Sequence, residues 1–304
     1  MKPLISVVIP SYNYENYICG AIESVAAQTY QNIELVVIDD GSSDASMRRV
    51  RELIAREDMK GRFPAVILHE NERNLGAHET INKGIRLSHG EYVAILNADD
   101  LYEPNRFTVL TGQMDRQSAE WGFSAVRCID AQGNRLESDE AKAFEAIQQK
   151  LEGKRFIALA AVAENVSVST GNLLFSRTLY ERAGGFKNYK YVHDYDFFLR
   201  ACLQSEPAYT AQTSYLYRLH GENTFLSIHA EGVRENRVVW LEFYRAVQRG
   251  EIGNPVILGN PKYMEEFHEA VRAEGEKKET LWKLARNPLM RAGLAVFKKR
   301  YGMD

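Results

Sequence analysis

An apolar run, Tyr92-Val93-Ala94-Ile95-Leu96, stops at Asn97-Ala98-Asp99-Asp100, and Pro104 follows shortly after. Two adjacent carboxylates at the end of a buried strand repel each other and lose hydration in any enclosed site. Such a pair calls for open solvent or for a cation. Carboxylate oxygens are hard donors suited to Mg2+ or Mn2+, which commonly bridge protein carboxylates and substrate phosphates. A divalent ion together with a diphosphate would therefore give Asp99 and Asp100 a purpose. Two other strand-like runs also end in polar groups: the first in Pro10-Ser11-Tyr12-Asn13, the second in Asp39-Asp40-Gly41-Ser42. In open parallel sheets, ligands bind beyond the carboxyl ends of the strands, so all three clusters fall on one rim.

The elements that must position these groups follow from periodicity. "LISVVIP", "IELVVID", "AVILHE" and "EYVAIL" are continuously apolar and of strand length. Helical patterns alternate with them. "ENYICGAIESVAAQ" places Tyr17, Ile18, Ala21, Ile22 and Val25 on one face, and "SSDASMRRVRELIARE" opens on a Ser/Asp cap. "ETINKGIRLSHG" is expected to end at Gly90 with His89 in its last turn, and Pro104 to start the helix after the fourth strand. Alternation of this kind implies an α/β fold with a mostly parallel sheet covered on both faces. Beyond Trp121 the pattern is mixed. "GFSAVRCID" reads as a strand and "AQGN" as a turn. "DEAKAFEAIQQKLEG" is a helical insertion poor in large apolar residues and expected to be exposed. "NLLFS" is a strand, "RTLYERAGGF" a helix stopped by two glycines, "DYDFFLRACLQS" a helix, and "AYTAQTSYLYRLH" a last strand. From about Glu222 helical periodicity dominates, with a break near "RGEIGNPVILGNPKY".

Composition narrows the class. The chain has 304 residues and a net charge of −3, without the basic excess of a dedicated nucleic-acid binder. Cys19, Cys128 and Cys202 are widely spaced and odd in number, a pattern without metal spacing or a disulfide framework that fits a reducing cytoplasm. The apolar run in "MKPLISVVIPSY" is too short for a signal peptide's hydrophobic region, and no run reaches membrane-span length. No Gly-x-Gly-x-x-Gly follows the first strand and no Gly-Lys-Ser/Thr occurs, which argues against NAD-type and Walker-type nucleotide sites.

The segments "SVVIPSYNYENYICGAIESVAAQTYQNIELVVIDDGSSD" and "NERNLGAHETINKGIRLSHGEYVAILNADD" resemble the nucleotide-binding half of family 2 glycosyltransferases, which have the GT-A fold. "GNLLFSRTLYERAGGF", "HDYDFFLRA" and "YRLHGENT" extend the resemblance across residues 4–224. It implies an inverting, cytoplasmic enzyme that moves a sugar from a nucleoside diphosphate sugar, UDP-linked by expectation, to a saccharide or lipid-linked acceptor of bacterial cell-surface polysaccharide or lipopolysaccharide. The resemblance implies Mn2+ or Mg2+ as cofactor and no nucleic-acid partner. By position, Pro10, Ser11, Tyr12 and Asn13 line the nucleoside pocket. Asp39 accepts a hydrogen bond from the base, and the loop 71–76, with Asn74 and Gly76, borders it. Asn97 and Asp99 meet the donor, Asp99 and Asp100 hold ribose and metal, and His220 lies near the diphosphate and metal. Asp194 matches the catalytic base. Three positions depart from the family pattern: Asn97 stands where an aspartate is frequent, Ile81 where arginine is frequent, and His193 where the first of two acids is usual. The implied organisation is a catalytic domain over 1–224, with a nucleotide half (1–100) and an acceptor half (101–224), and a C-terminal helical region over 225–304.

Each residue also has a plain structural reading. Asp39 through Ser43 form a strand exit and helix cap, Asp99-Asp100 a solvated turn, Asp194 an N-cap, Asp196 a first-turn stabiliser, and His220 a structural histidine. Asn97 and His193 motivate a competing view of a nucleotide-sugar binding protein with weak or no turnover. A sugar nucleotidyltransferase is less consistent with "PSYNYENY", which lacks a glycine- and arginine-rich loop. The polar segment 138–165 is a candidate cover for the acceptor. Near the C-terminus Met290, Leu294, Phe297 and Tyr301 recur on one stripe flanked by basic residues, either a packed helix or a peripheral contact with anionic lipid at the inner face of a membrane.

Overall fold

The computed structural model describes residues 2–151, 153–154, 156–220 and 230–286. The apolar stripe with its basic flanks at 287–304 lies outside the described residues, as does the stretch 221–229, which takes in the end of the "YRLHGENT" segment. Four strands, β1 (Ile5–Ser11), β2 (Ile33–Asp39), β3 (Val66–Glu70) and β4 (Tyr92–Ile95), alternate with α1 (Ile18–Ala26), α2 (Ser46–Ile54) and α3 (Ala77–Leu87). There follow β5 (Leu101–Tyr102), α4 (Arg106–Gln117), β6 (Trp121–Ile129), α5 (Asp139–Gln149), α6 (Ile157–Ala161), β7 (Leu174–Ser176), α7 (Arg177–Ala183), α8 (His193–Gln204) and β8 (Ala208–Arg218). Helices α9 (Ala230–Gln248), α10 (Pro255–Leu258) and α11 (Pro261–Arg286) complete the described chain.

The strands form one sheet in the order β3-β2-β1-β4-β7-β6-β8-β5. The first four are mutually parallel, and β7 enters antiparallel to both β4 and β6. Register brings the polar strand ends together: Ser11 pairs with Asp39 and Asp39 with Glu70. Side chains on a strand point alternately to opposite faces, and the two cores follow that period. Val8, Val36, Ile38, Val93 and Ile95 belong to the core covered by α3, α7 and α8. Val7, Ile9, Leu35, Val37 and Ala94 belong to the core under α1, α2 and α4. Each Val, Leu or Ile side chain among them contributes roughly 1.5–3 kcal/mol when fully buried, so the continuous apolar runs are what both faces require.

Several local expectations shift. Helix α3 stops at Leu87, before Gly90; Ser88 turns extended and gives its hydroxyl to the Ile85 carbonyl at 2.9 Å. His89 is thereby outside the helix and bound to Glu34. Helix α4 begins at Arg106, two residues past Pro104, with Asn105 at its N-cap. At α2 the cap position is Ala45, and Asp44 supplies the acceptor for the Ser46 N–H at 2.9 Å. The 139–149 helix is not a loose, exposed insertion. Its Gln148 is buried, donates to the Ser124 and Val166 carbonyls and accepts the Val126 N–H at 2.7 Å, so it is stitched to β6. Downstream, Ala158, Ala161, Val162 and Val166 enter the core. The α7 stop is as expected, with Gly184 at φ +79° in a left-handed cap that L side chains disfavour.

The C-terminal helices share a core with the sheet's second half. Trp240, Phe243, Val247, Tyr263 and Phe267 cluster with Phe198, Cys202 and Val162, and the Trp240 indole donates to the Val162 carbonyl at 3.2 Å. Among the described residues no helix is long and apolar enough to cross a membrane.

Candidate active site

The carboxyl ends of β1, β2 and β4 border a cleft of about 480 Å³, closed opposite by the start of α8 and by residues 168–170. Of the residues singled out in the sequence, Pro10, Ser11, Tyr12, Asn74, Gly76, Asn97, Asp99 and Asp194 line it. Asn13, Asp39, Asp100 and His220 are not part of that wall, for identifiable reasons. Asn13 has a positive φ of 59° and uses its side-chain oxygen to accept the Ser43 N–H at 2.9 Å, bracing the loop after β2. The Asp39 carboxylate accepts the Ser42 N–H at 2.8 Å and its hydroxyl at 2.6 Å, which fixes its orientation just behind the wall. Its neighbour Asp40 lines the cleft and accepts the backbone N–H groups of Leu75 and Gly76 at 2.8 and 2.9 Å, anchoring the loop 71–76.

Asp99 and Asp100 sit on a turn closed by the Asp100 N–H donating to the Asn97 carbonyl at 3.1 Å. Their side chains diverge. Asp99 lines the cleft, and its Oδ2 lies 3.0 Å from His220 Nε2. Asp100 points inward, fully buried, where it accepts the Arg218 N–H at 2.7 Å, the Asn97 amide at 3.0 Å and the Tyr215 hydroxyl. Burial, and next the charge of Asp99, push the Asp100 carboxyl well above the ordinary carboxylate range. Tyr215 can reach Asp100 because residue 171 is glycine; a Cβ there would lie 2.2 Å from the Tyr215 hydroxyl. Arg218 donates Nε to the Asp99 carbonyl and stands 5.0 Å over the Tyr17 ring, while His220 stacks on Tyr17 at 5.1 Å. Tyr17 is therefore a platform for Arg218 and His220, a role that the helical period concealed.

Asn97 occupies the position expected to weaken an acidic cluster. It donates to both Asp100 and Ser169 Oγ, the latter at 2.9 Å. An aspartate there would set a third carboxylate against Asp100 and could not donate. Ile81, by contrast, is buried and packs in the core, with one edge on the cleft.

Across the cleft, Asp194 stands in the first turn of α8. Its Oδ1 accepts the Tyr195 N–H at 2.7 Å and its Oδ2 the Asn165 amide at 2.8 Å. Burial raises its pKa, an effect opposed chiefly by His193. Burial lowers the His193 imidazole, which lies 3.3 Å from Thr170 Oγ1 through Nε2. Asp196 points the other way, into an ion pair with Arg200, which also holds the carbonyls of Ala183 and Gly185. Lys190, Tyr191 and Ser169 complete this wall and carried no signal in the sequence, because their loops lack periodicity.

Among the described residues no three His, Cys, Asp or Glu side chains converge as a metal cluster. Asp99 with His220 offers two hard or borderline donors beside the buried Asp100 carboxyl. That set fits a divalent ion whose shell is completed by substrate oxygens.

Comparison with known proteins places this geometry. The sequence model described as "Glycosyl transferase family 2" matches residues 6–181. An uncharacterized glycosyltransferase of Rickettsia typhi is 28% identical over 258 residues, covering 83% of this chain and 74% of that protein. Glycosyltransferase GlyG of Streptococcus pneumoniae is 36% identical over 120 residues, 40% of this chain and 38% of its own length. Among solved structures, S. aureus TarS 1-349 in complex with UDP-GlcNAc superposes with a TM-score of 0.59 at 17% identity, covering 79% of this chain and 66% of that one. Mannosyltransferase PcManGT from Pyrobaculum calidifontis, in complex with GDP-Man and Mn2+, superposes with a TM-score of 0.57 at 18% identity, over 96% and 83% of the two chains. These structural likenesses concern the fold.

Proposed function

The chain belongs to glycosyl transferase family 2, with the GT-A fold, and from that premise we propose that it is an inverting enzyme moving a sugar from a nucleoside diphosphate sugar, UDP-linked in our reading, to a saccharide hydroxyl. The observation that carries the proposal is the single cleft that sets Asp99 and the β1 and β2 loops on one side and Asp194 on the other. The nucleoside lies against Pro10, Ser11, Tyr12, Asn74 and Gly76. Asp39, oriented by Ser42, accepts the ring N–H of the base with a remaining lone pair.

Asp194 takes the proton of the acceptor hydroxyl as that oxygen attacks the anomeric carbon. The new carbon–oxygen bond forms on the face opposite the diphosphate, the bond to the diphosphate oxygen breaks, and the configuration inverts. Burial, by raising Asp194 above an ordinary aspartate, makes it the stronger base. Asp99 and His220 would hold Mn2+ or Mg2+, with the buried Asp100 carboxyl behind them; such an ion neutralises charge on a departing diphosphate. The acceptor half, including Thr170 and His193, faces the attacking sugar. We place the acceptor in cell-surface polysaccharide or lipopolysaccharide synthesis, the basic segment beyond residue 286 offering a contact to anionic lipid.

A binding protein without turnover is the alternative that Asn97 and His193 raise. The donor role of Asn97 toward Asp100 and Ser169 favours the enzyme, since the residue completes the turn. The test is a thermal-shift screen against nucleoside diphosphates with and without Mn2+, followed by nucleotide release from the matching sugar nucleotide. Tight binding stabilises the fold measurably. Release of nucleotide supports the transferase, binding without release supports the alternative, and the absence of any nucleotide-dependent shift overturns both.

A further inference from the structure

Lys190 and Tyr191 lie on the wall that carries Asp194, and the mechanism above gives neither a task. Their loop, between α7 and α8, is fastened from outside the sheet. Glu235 of α9 accepts the N–H of Lys190 at 2.9 Å and of Tyr191 at 2.8 Å. Three residues before Lys190, Lys187 pairs with Glu242 of the same helix at 2.8 Å. One carboxylate holding two consecutive backbone donors fixes the peptide between them, and with it the direction in which both side chains leave. Lys190 Nζ then stands 5.1 Å from the centroid of the Tyr191 ring, at the cleft.

Among the described residues of the wall Lys190 is the one lysine or arginine, facing a lining that otherwise carries Asp40, Asp99 and Asp194. In a single displacement the base works on the sugar face opposite the leaving diphosphate. A cation on the base's wall is therefore on the acceptor side. An aromatic face suits a pyranose ring, and an ammonium beside it suits a negatively charged substituent. We infer that Lys190 and Tyr191, presented by Glu235, form an acceptor subsite for a saccharide that carries an anionic group. The inference rests on the transferase reading and sharpens it: the acceptor is acidic.

The experiment uses the full chain saturated with UDP and Mn2+, or with GDP where the nucleotide screen selects it, titrated with glucose, glucose 6-phosphate and glucuronic acid. At least one charged sugar should bind roughly ten-fold tighter than glucose, the worth of one charge-assisted contact. The arm that responds distinguishes phosphate from carboxylate. Lys190→Gln should erase the preference and leave nucleotide affinity unchanged. Glu235→Ala, at a positioning residue, should weaken the charged sugar several-fold without touching nucleotide affinity. Equal binding of all three sugars, or a preference that survives Lys190→Gln, overturns the subsite. Weakened nucleotide binding in Lys190→Gln also overturns it, by placing the cation on the donor diphosphate. Absence of nucleotide binding by the parent chain is a different failure, that of the transferase reading.

Discussion

Two carboxylates are fully buried at opposite ends of the same parallel sheet, and their surroundings treat them oppositely. Glu34, at the amino end of β2, accepts the Ser6 hydroxyl at 2.6 Å, the His89 N–H at 2.8 Å and the His89 ring at 2.7 Å. Asp100, past the carboxyl end of β4, also has three donors. Burial opposes ionisation in both. At Glu34 the hydrogen bonds win and the pKa falls; at Asp100 burial and the adjacent Asp99 win and the carboxyl is driven well up. The donors at Asp100 are an amide, a phenol and a peptide N–H, with a like charge next door. One end of the sheet meets its buried carboxylate with hydrogen bonds that outweigh burial, and the other leaves Asp100 beside a like charge. On the proposed function, stability and function are thus separated along the strands.

The largest effect that tests this separation lies at the functional end. Asp194→Asn should lower kcat by about 10²- to 10⁴-fold, the usual worth of a positioned base, with nucleotide diphosphate affinity unchanged. Retained turnover would take Asp194 out of the mechanism and leave Asn165 holding a merely structural carboxylate.

Next comes the direct exchange. Asp100→Asn replaces a buried carboxyl whose charged form is disfavoured in the free protein, so the free protein should keep its Tm while Mn2+-dependent nucleotide affinity drops ten-fold or so, in line with loss of one charge-assisted interaction. Glu34→Gln should do the reverse. It disturbs a satisfied buried acceptor at a cost of about 1–3 kcal/mol and leaves nucleotide affinity intact. Melting curves of both variants with and without UDP and Mn2+ decide the matter. If Asp100→Asn melts as early as Glu34→Gln, both carboxylates are structural and the contrast collapses.

The pH dependence follows from the same directions. The Glu34 pKa is depressed in the fold, so its stabilisation is fully present above the ordinary glutamate pKa and is lost as pH falls through the lower folded value. Glu34→Gln should therefore flatten the acid limb of a Tm–pH curve and leave the neutral region parallel to the parent. Asp194 is raised, so the base becomes protonated at a pH above the ordinary aspartate value. The acid limb of kcat/KM should sit correspondingly higher than the acid limb of stability. Coincident limbs would mean that activity is lost by unfolding.

The sequence revealed the functional end far better than the structural one. Asp39, Asp99 and Asp100 stand where apolar runs stop, and a parallel sheet necessarily delivers strand ends to one rim. Glu34 lies inside an apolar run and His89 beyond a helix, so their pairing across 55 residues had no local signature. The same limit hid the wall that carries Asp194. Asn165 reaches Asp194 across 29 residues, and Glu235 reaches Lys190 across 45, through contacts that only tertiary packing creates. The 139–149 helix looked exposed because its anchor is a glutamine, a residue that hydrophobic periodicity ignores.

The smallest predicted effect concerns His89, whose side chain is 72% exposed while its ring binds a fully buried carboxylate. Replacing the ring with alanine leaves Glu34 two donors, the Ser6 hydroxyl and the residue-89 N–H. Solvent can reach the vacated position and supply part of what the ring gave. A contact so exposed is screened, so His89→Ala should cost under about 1 kcal/mol, clearly less than Glu34→Gln. In a double-mutant cycle the ring should matter only while the carboxylate is present, so the pair should be less destabilised than the sum of the single variants. A loss in His89→Ala equal to that of Glu34→Gln would mean the ring, rather than the backbone and Ser6, holds the carboxylate. The amino end of the sheet would then depend on a solvent-facing group.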